Sequence, residues 1–176
     1  MSEKFSNEKI FVKNIPQYDN EVITPIEKDY YNVIAINTVI TFLIFTVAYF
    51  ISLNGFEFLR KIEFKLLLTV CYFIFWFFLF IYGWYAFKKR GYCFREHDVI
   101  YKFGLLEETF VLIPFNRIQH IALHQGIFSR IYGLASLQFY TAGGSTTDIN
   151  IKGFKLEDAK KFKEFVSNKI EKIKSK

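Results

Sequence analysis

The chain has 176 residues, 52% of them hydrophobic and 20% aromatic, and carries a formal net charge of +6. That length accommodates one modest folded domain plus a small membrane anchor, and the apolar and aromatic shares are rich for a wholly soluble protein. Its two cysteines, Cys71 and Cys93, have neither CxxC spacing nor the density of a secreted disulfide scaffold, and they say little about compartment.

Residues 1–32 mix charges with Pro16 and Pro25, show no sustained period, and read as an irregular N-terminal arm. Before Tyr30, Lys4, Lys9, Lys13 and Lys28 face Glu3, Glu8, Asp19, Glu21, Glu27 and Asp29, so most of the positive charge lies beyond Phe87. This acidic excess gives the expectation that the arm docks on the basic remainder of the chain. Val33 to Leu53 follows without a formal charge, about 21 residues bordered by Tyr30 and Tyr31 and with Tyr49 near its end, as a membrane span requires. It begins too far from Met1, and lacks the basic n-region and small-residue cleavage site, to be a secretory signal. Asn54 to Lys65 is a short polar connection of the length that joins antiparallel helices.

Leu66 to Phe87 is a second uncharged run, which as a helix reaches about 33 Å and crosses a ~30 Å hydrocarbon core. It closes on Lys88, Lys89 and Arg90, with Trp84 and Tyr85 just before them, and these five residues are the expected membrane-interface anchors. Residues 33–87 thus predict a transmembrane helical hairpin, 33–53 and 66–87, with a short external loop over 54–65. Two spans put both termini on one side, and the lysines and arginines flanking the hairpin outweigh Arg60, Lys61 and Lys65 in the loop, which makes that side cytoplasmic. A hairpin buried in a soluble core conflicts with two uncharged runs of this length in so small a chain.

From Gly91 the pattern changes to short alternating segments between turn signals, which predicts β-strands. Tyr92–Arg95 and Val99–Phe103 flank a turn at Glu96, His97 and Asp98; Thr109–Phe115 and Ile118–Gln125 follow Gly104. Ile127–Tyr132 reads as a helical turn ended by Gly133, Leu137–Thr141 as a strand, and Ala142–Ser145 as a turn into a strand over Asp148–Lys152. In the last segment, Leu156, Ala159, Phe162, Phe165, Val166, Ile170 and Ile173 recur at three- and four-residue steps and predict an amphipathic helix over 156–174. Glu157 and Asp158 in its first turn and lysines at its end match the helix dipole. The expected fold class is a membrane α-helical hairpin plus an α+β domain over 88–176, a small antiparallel sheet or partly open barrel capped by the C-terminal helix.

That order is the pleckstrin-homology (PH) layout, and the stretch Pro114, Phe115, Asn116, Arg117, Ile118, Gln119, then Gly126, Arg130, Gly133, Leu134, Ala135 and Tyr140 to Gly144, resembles the bacterial membrane-anchored PH-domain family of the YdbS-like kind. The resemblance runs from about Val33 to the C-terminus. It implies a cytoplasmic PH-like fold on the inner membrane and brings no catalytic site to transfer. Where familiar PH domains carry basic residues around the first strand hairpin, this chain has Glu96, His97 and Asp98, which weakens any expectation of phosphoinositide specificity.

Pro114 biases Ile113 towards extended geometry, so Asn116, Arg117 and Gln119 enter a strand. They either satisfy loop carbonyls at a structural corner or, with Arg130, form an interaction surface on which Arg117 meets a carboxylate or a headgroup phosphate. His120 and His124, in a strand, point the same way at ~13 Å, too far apart to share a metal. Cys93 lacks an activating neighbour, no nucleophilic triad is evident, and the Ala142–Ser145 turn lacks the GxxxxGK[ST] phosphate cradle. No catalytic, cofactor or metal site is therefore expected. Expected partners are the lipid bilayer, a membrane or cytoplasmic protein, and an anionic lipid drawn by the basic cluster, with no nucleic acid because exposed aromatic interleaving is missing. The expected function is binding rather than turnover: a membrane-anchored interaction or scaffold module, with lipid-headgroup or small-ligand sensing as the alternative.

Overall fold

The first strand, β1 (Thr24–Pro25), stands ahead of both long apolar helices yet pairs antiparallel with β2 (Gly91–Phe94), which follows them. The computed structural model describes residues 22–55, 62–141 and 148–174. Most of the expected arm, half of the expected external loop and the expected Ala142–Ser145 turn lie outside the described residues.

Between these strands run α1 (Tyr30–Gly55) and α2 (Ile62–Lys88), both long and apolar enough to cross a membrane. Polar groups and aromatic rings join them along an antiparallel seam. Tyr31 meets Trp84 edge-on at 4.9 Å, Phe42 meets Trp76 at 5.2 Å, and Tyr49 stacks on Tyr72 at 4.6 Å. The Thr46 and Tyr72 hydroxyls lie 2.7 Å apart, and those of Tyr49 and Thr69 2.9 Å apart. Such bonds hold helices together where burial of apolar surface gives no net drive. Leu43, Ile44, Phe45, Phe77 and Phe78 are exposed on the protein, although Phe45 still reaches the Trp76 ring at 6.2 Å.

Residues 22–32 are not the irregular arm that their missing period suggests. β1 joins a sheet, Ile26 and Tyr30 are buried in the domain core, and the Glu27 N–H donates to the Gly153 carbonyl at 2.9 Å. A two-residue strand is too short to show alternation, so pairing with β2 defines it. The helix likewise starts at Tyr30, ahead of Val33, because its first turn packs on the domain instead of facing outward.

The domain is two antiparallel sheets that do not close into a barrel. The first has the order β1-β2-β3-β4, with β3 (Asp98–Phe103) and β4 (Thr109–Pro114). A 3-10 turn, Phe115–Arg117, leads to β5 (Ile118–His124), which pairs with β6 (Leu134–Thr141) and through it with β7 (Ile149–Lys155). The short helix α3 (Ile127–Ile131) ends at Gly133, whose φ of +63° lies in the left-handed region that favours glycine. Between the sheets, Val99, Leu137, Phe139, Ile151 and Phe154 are fully buried. The C-terminal helix α4 (Leu156–Lys174) covers this core with Ala159, Phe162, Val166 and Ile170, and Phe162 stacks on Phe94 at 4.1 Å. Its apolar stripe is narrower than the sequence suggests, since Phe165 and Ile173 are exposed.

Candidate functional site

Because the sheets stay open, a cleft of about 770 Å³ lies between the inner face of the first sheet and the β7 edge of the second. Strand alternation puts Tyr101 and Phe103 of β3 on one face with Val111 and Ile113 of β4, and these four form an apolar wall. Tyr101 and Phe103 stack with ring centroids 5.0 Å apart. Burial pushes the Tyr101 hydroxyl above its usual pKa, while the nearby Arg90 charge pulls it the other way. Thr141, Asp148, Ile149, Asn150 and Lys152 line the opposite side.

Three cations reach this space from separate elements. Arg90 comes from the link between α2 and β2, Lys152 from β7, and Arg117 from the 3-10 turn. The turn is fixed by Phe115, which is buried and whose N–H donates to the His97 carbonyl at 2.9 Å. Among the described residues, none of the three cations forms an ion pair. Among the described residues the single carboxylate on the lining, Asp148, accepts the Thr141 N–H at 3.2 Å. Asn150 supplies an unmet demand: its Oδ1 is buried and accepts no hydrogen bond among the described residues. An orphaned acceptor of this kind costs on the order of 1–3 kcal/mol, so the site is poised for a donor. The cleft therefore offers N–H donors to an anion, one acceptor to a hydroxyl or amide, and an aromatic wall to an apolar group.

Of the residues singled out from sequence, Arg117 lines the cleft. Asn116 and Gln119 are exposed beside it, Gln119 at the register irregularity between Ile118 and His120. Arg130 lies on α3, which packs against β6 and α1, and takes no part in the lining. The basic cluster divides its roles. The Lys88 ammonium sits over the Trp84 ring at 4.4 Å, and Lys89 pairs with Glu108 at 2.8 Å, while Arg90, expected only as an interface anchor, lines the cleft. Trp84 and Tyr85 are exposed on the last turns of α2. His120 stacks on Tyr140 at 4.1 Å, and among the described residues no group of three His, Cys, Asp or Glu side chains is placed to hold a metal ion. Sequence reading missed Tyr101, Asn150 and Lys152. Lys152 follows core Ile151 on an outward strand position and looks like any solvated lysine.

A family model described as bacterial PH domain matches residues 35–170, from within α1 to near the end of α4. β1 lies ahead of the matched span. No curated protein and no solved structure matches the chain.

Proposed function

We propose that this chain, which belongs to the bacterial PH-domain family, is a membrane-anchored interaction module whose hairpin holds the PH-like domain at the cytoplasmic face of the cell membrane. In this reading α1 and α2 both span the bilayer, both termini are cytoplasmic, and the domain recruits a membrane or cytoplasmic protein without catalysing a reaction. One observation carries it: the domain is assembled across the hairpin, with β1 before α1 completing the sheet that resumes at β2 after α2. A domain joined to both outer helix ends is held in position and orientation, which raises its effective concentration for membrane-local partners. Exposed apolar tips support the seating. Leu106 is 93% exposed in the β3–β4 turn that Glu108 ties to Lys89, and Ile127 and Ile131 project from α3, which packs on α1. The basic residues at the end of α2 suit an anionic lipid surface, and the reading involves no nucleic acid.

The test is co-purification of the full-length chain from native membranes in mild detergent, with bound proteins and lipids both identified, alongside an Asn116→Ala/Arg117→Glu variant. A protein retained stoichiometrically by the native chain and lost from the variant supports the module; no retained protein in either refutes it. Lipid-headgroup or small-ligand sensing is the second reading, favoured by the cleft's three cations, which form no ion pair among the described residues, and by the buried Asn150 Oδ1, which accepts no hydrogen bond among them. Enrichment of one lipid without a protein would favour it.

A further inference from the structure

The intersheet cleft has a definite chemical character. Among the described residues, Arg90, Arg117 and Lys152 stand against one lining carboxylate, Asp148, which leaves an excess of two positive charges. A single carboxylate ligand would be satisfied by one guanidinium fork. A phosphate monoester carries about −1.5 to −2 charges at pH 7 and presents three acceptor oxygens, which matches both the excess charge and the number of cations. Tyr101 and Ile113 are already buried, and the half-buried Phe103 and Val111 leave apolar surface on the cleft that an apolar group can cover. Arg90 lies two residues beyond the end of α2, and α2 is long and apolar enough to reach across a bilayer, so in the membrane-anchored arrangement the site adjoins the headgroup layer.

We propose that this cleft binds a phosphate monoester carried on an apolar tail, with the phosphate between Arg90, Arg117 and Lys152 and the tail along the Tyr101–Phe103 wall. The proposal rests on the ligand-sensing reading and deepens it. Arg117 and Lys152 are exposed side chains that can be replaced without disturbing the core.

The experiment uses the full-length chain in phosphatidylcholine nanodiscs and measures binding calorimetrically with three soluble probes: dihexanoyl phosphatidic acid, dihexanoyl phosphatidylglycerol and glycerol 3-phosphate. Dihexanoyl phosphatidic acid saturates the site and binds roughly tenfold or more tightly than the other two, because one lacks the dianion and the other the tail. Arg117→Ala and Lys152→Ala each weaken it about tenfold, as expected for a hydrogen bond to a charged group. Affinity also falls as the pH drops through about 6, where the phosphate takes up its second proton. Equal affinity for glycerol 3-phosphate overturns the tail and assigns the cleft to a soluble phosphate. Equal affinity for the phosphatidylglycerol probe overturns the monoester. No saturable binding, or binding unchanged in an Arg117→Ala/Lys152→Ala double variant, overturns the site. Retention of every variant in membranes after alkaline extraction separates loss of the ligand from loss of the anchor, and neither result depends on a protein partner.

Discussion

Replacing Gly153 with alanine tests how firmly the domain is joined to the hairpin. Gly153 has φ +87°, and a Cβ there lies 3.0 Å from Tyr30 Cγ and 3.2 Å from Ile26 Cβ. Both neighbours are buried, and the Gly153 carbonyl accepts the Glu27 N–H at 2.9 Å, so the three residues have little room to retreat. An L-residue in this region costs about 1–2 kcal/mol of backbone strain. Overpacking against Tyr30 and Ile26 adds about 1–3 kcal/mol. Gly133→Ala is the control, because φ there is also positive, at +63°, but no atom lies within 4 Å of the added Cβ. It carries the backbone cost alone. For a chain of this size each kcal/mol moves Tm by about 2–4 °C, so thermal unfolding of the full-length chain in detergent should fall by about 2–8 °C for Gly133→Ala and distinctly further, by about 4–20 °C, for Gly153→Ala. Equal shifts in the two variants would refute the packing of the α1 start on β7.

The Glu108 carboxyl bonds Lys89 at 2.8 Å and Lys102 at 3.1 Å, and these bonds hold its pKa below the ordinary 4.5. A carboxylate lowered on folding contributes stability above its unfolded pKa and loses it as the pH falls through the folded value. Glu108→Gln should therefore lower Tm at neutral pH, and the gap from the native chain should close in acid and shrink in high salt; a pH-independent gap contradicts the ion pairs. Phe139→Ala empties a fully buried ring position between the sheets and should cost about 3–5 kcal/mol in chemical denaturation. In the hairpin, a Thr46→Val/Tyr72→Phe double-mutant cycle should give a coupling of about 0.6 kcal/mol for the 2.7 Å hydroxyl contact, and zero coupling would contradict a stabilising bond between these two hydroxyls.

Elements with a long or repeated pattern were legible from the residues alone. Two uncharged runs gave α1 and α2, the 3.6-residue stripe from Leu156 gave α4, and alternation in Leu137 and Phe139 gave most of β6. What escaped depends on contacts between distant segments. β1 carries no period and exists because Thr24 and Pro25 meet Tyr92 and Gly91 across the whole hairpin. β7 continues to Lys155, beyond the expected Lys152, because Gly153 takes the left-handed backbone of a bulge at the register shift opposite Ala135 and Ser136, and pairing resumes at Phe154. The cleft was half visible. Arg117 was noticed for its polarity after Pro114, but its companions Arg90 and Lys152 come from separate elements and share no sequence motif. Arg130, expected on one surface with Arg117, lies elsewhere, since its helix α3 packs against α1 and β6.

The central claim is that the hairpin crosses the membrane with its two outer ends on the domain's side and that this side is the cytoplasm. Single-cysteine labelling tests it most directly, in a Cys71→Ser/Cys93→Ser background carrying either Gly55→Cys at the far end of α1 or Lys163→Cys on the exposed face of α4. A membrane-impermeant maleimide applied to intact cells should label Gly55→Cys and should reach Lys163→Cys only after permeabilisation. Labelling of both positions from the same side would contradict the account.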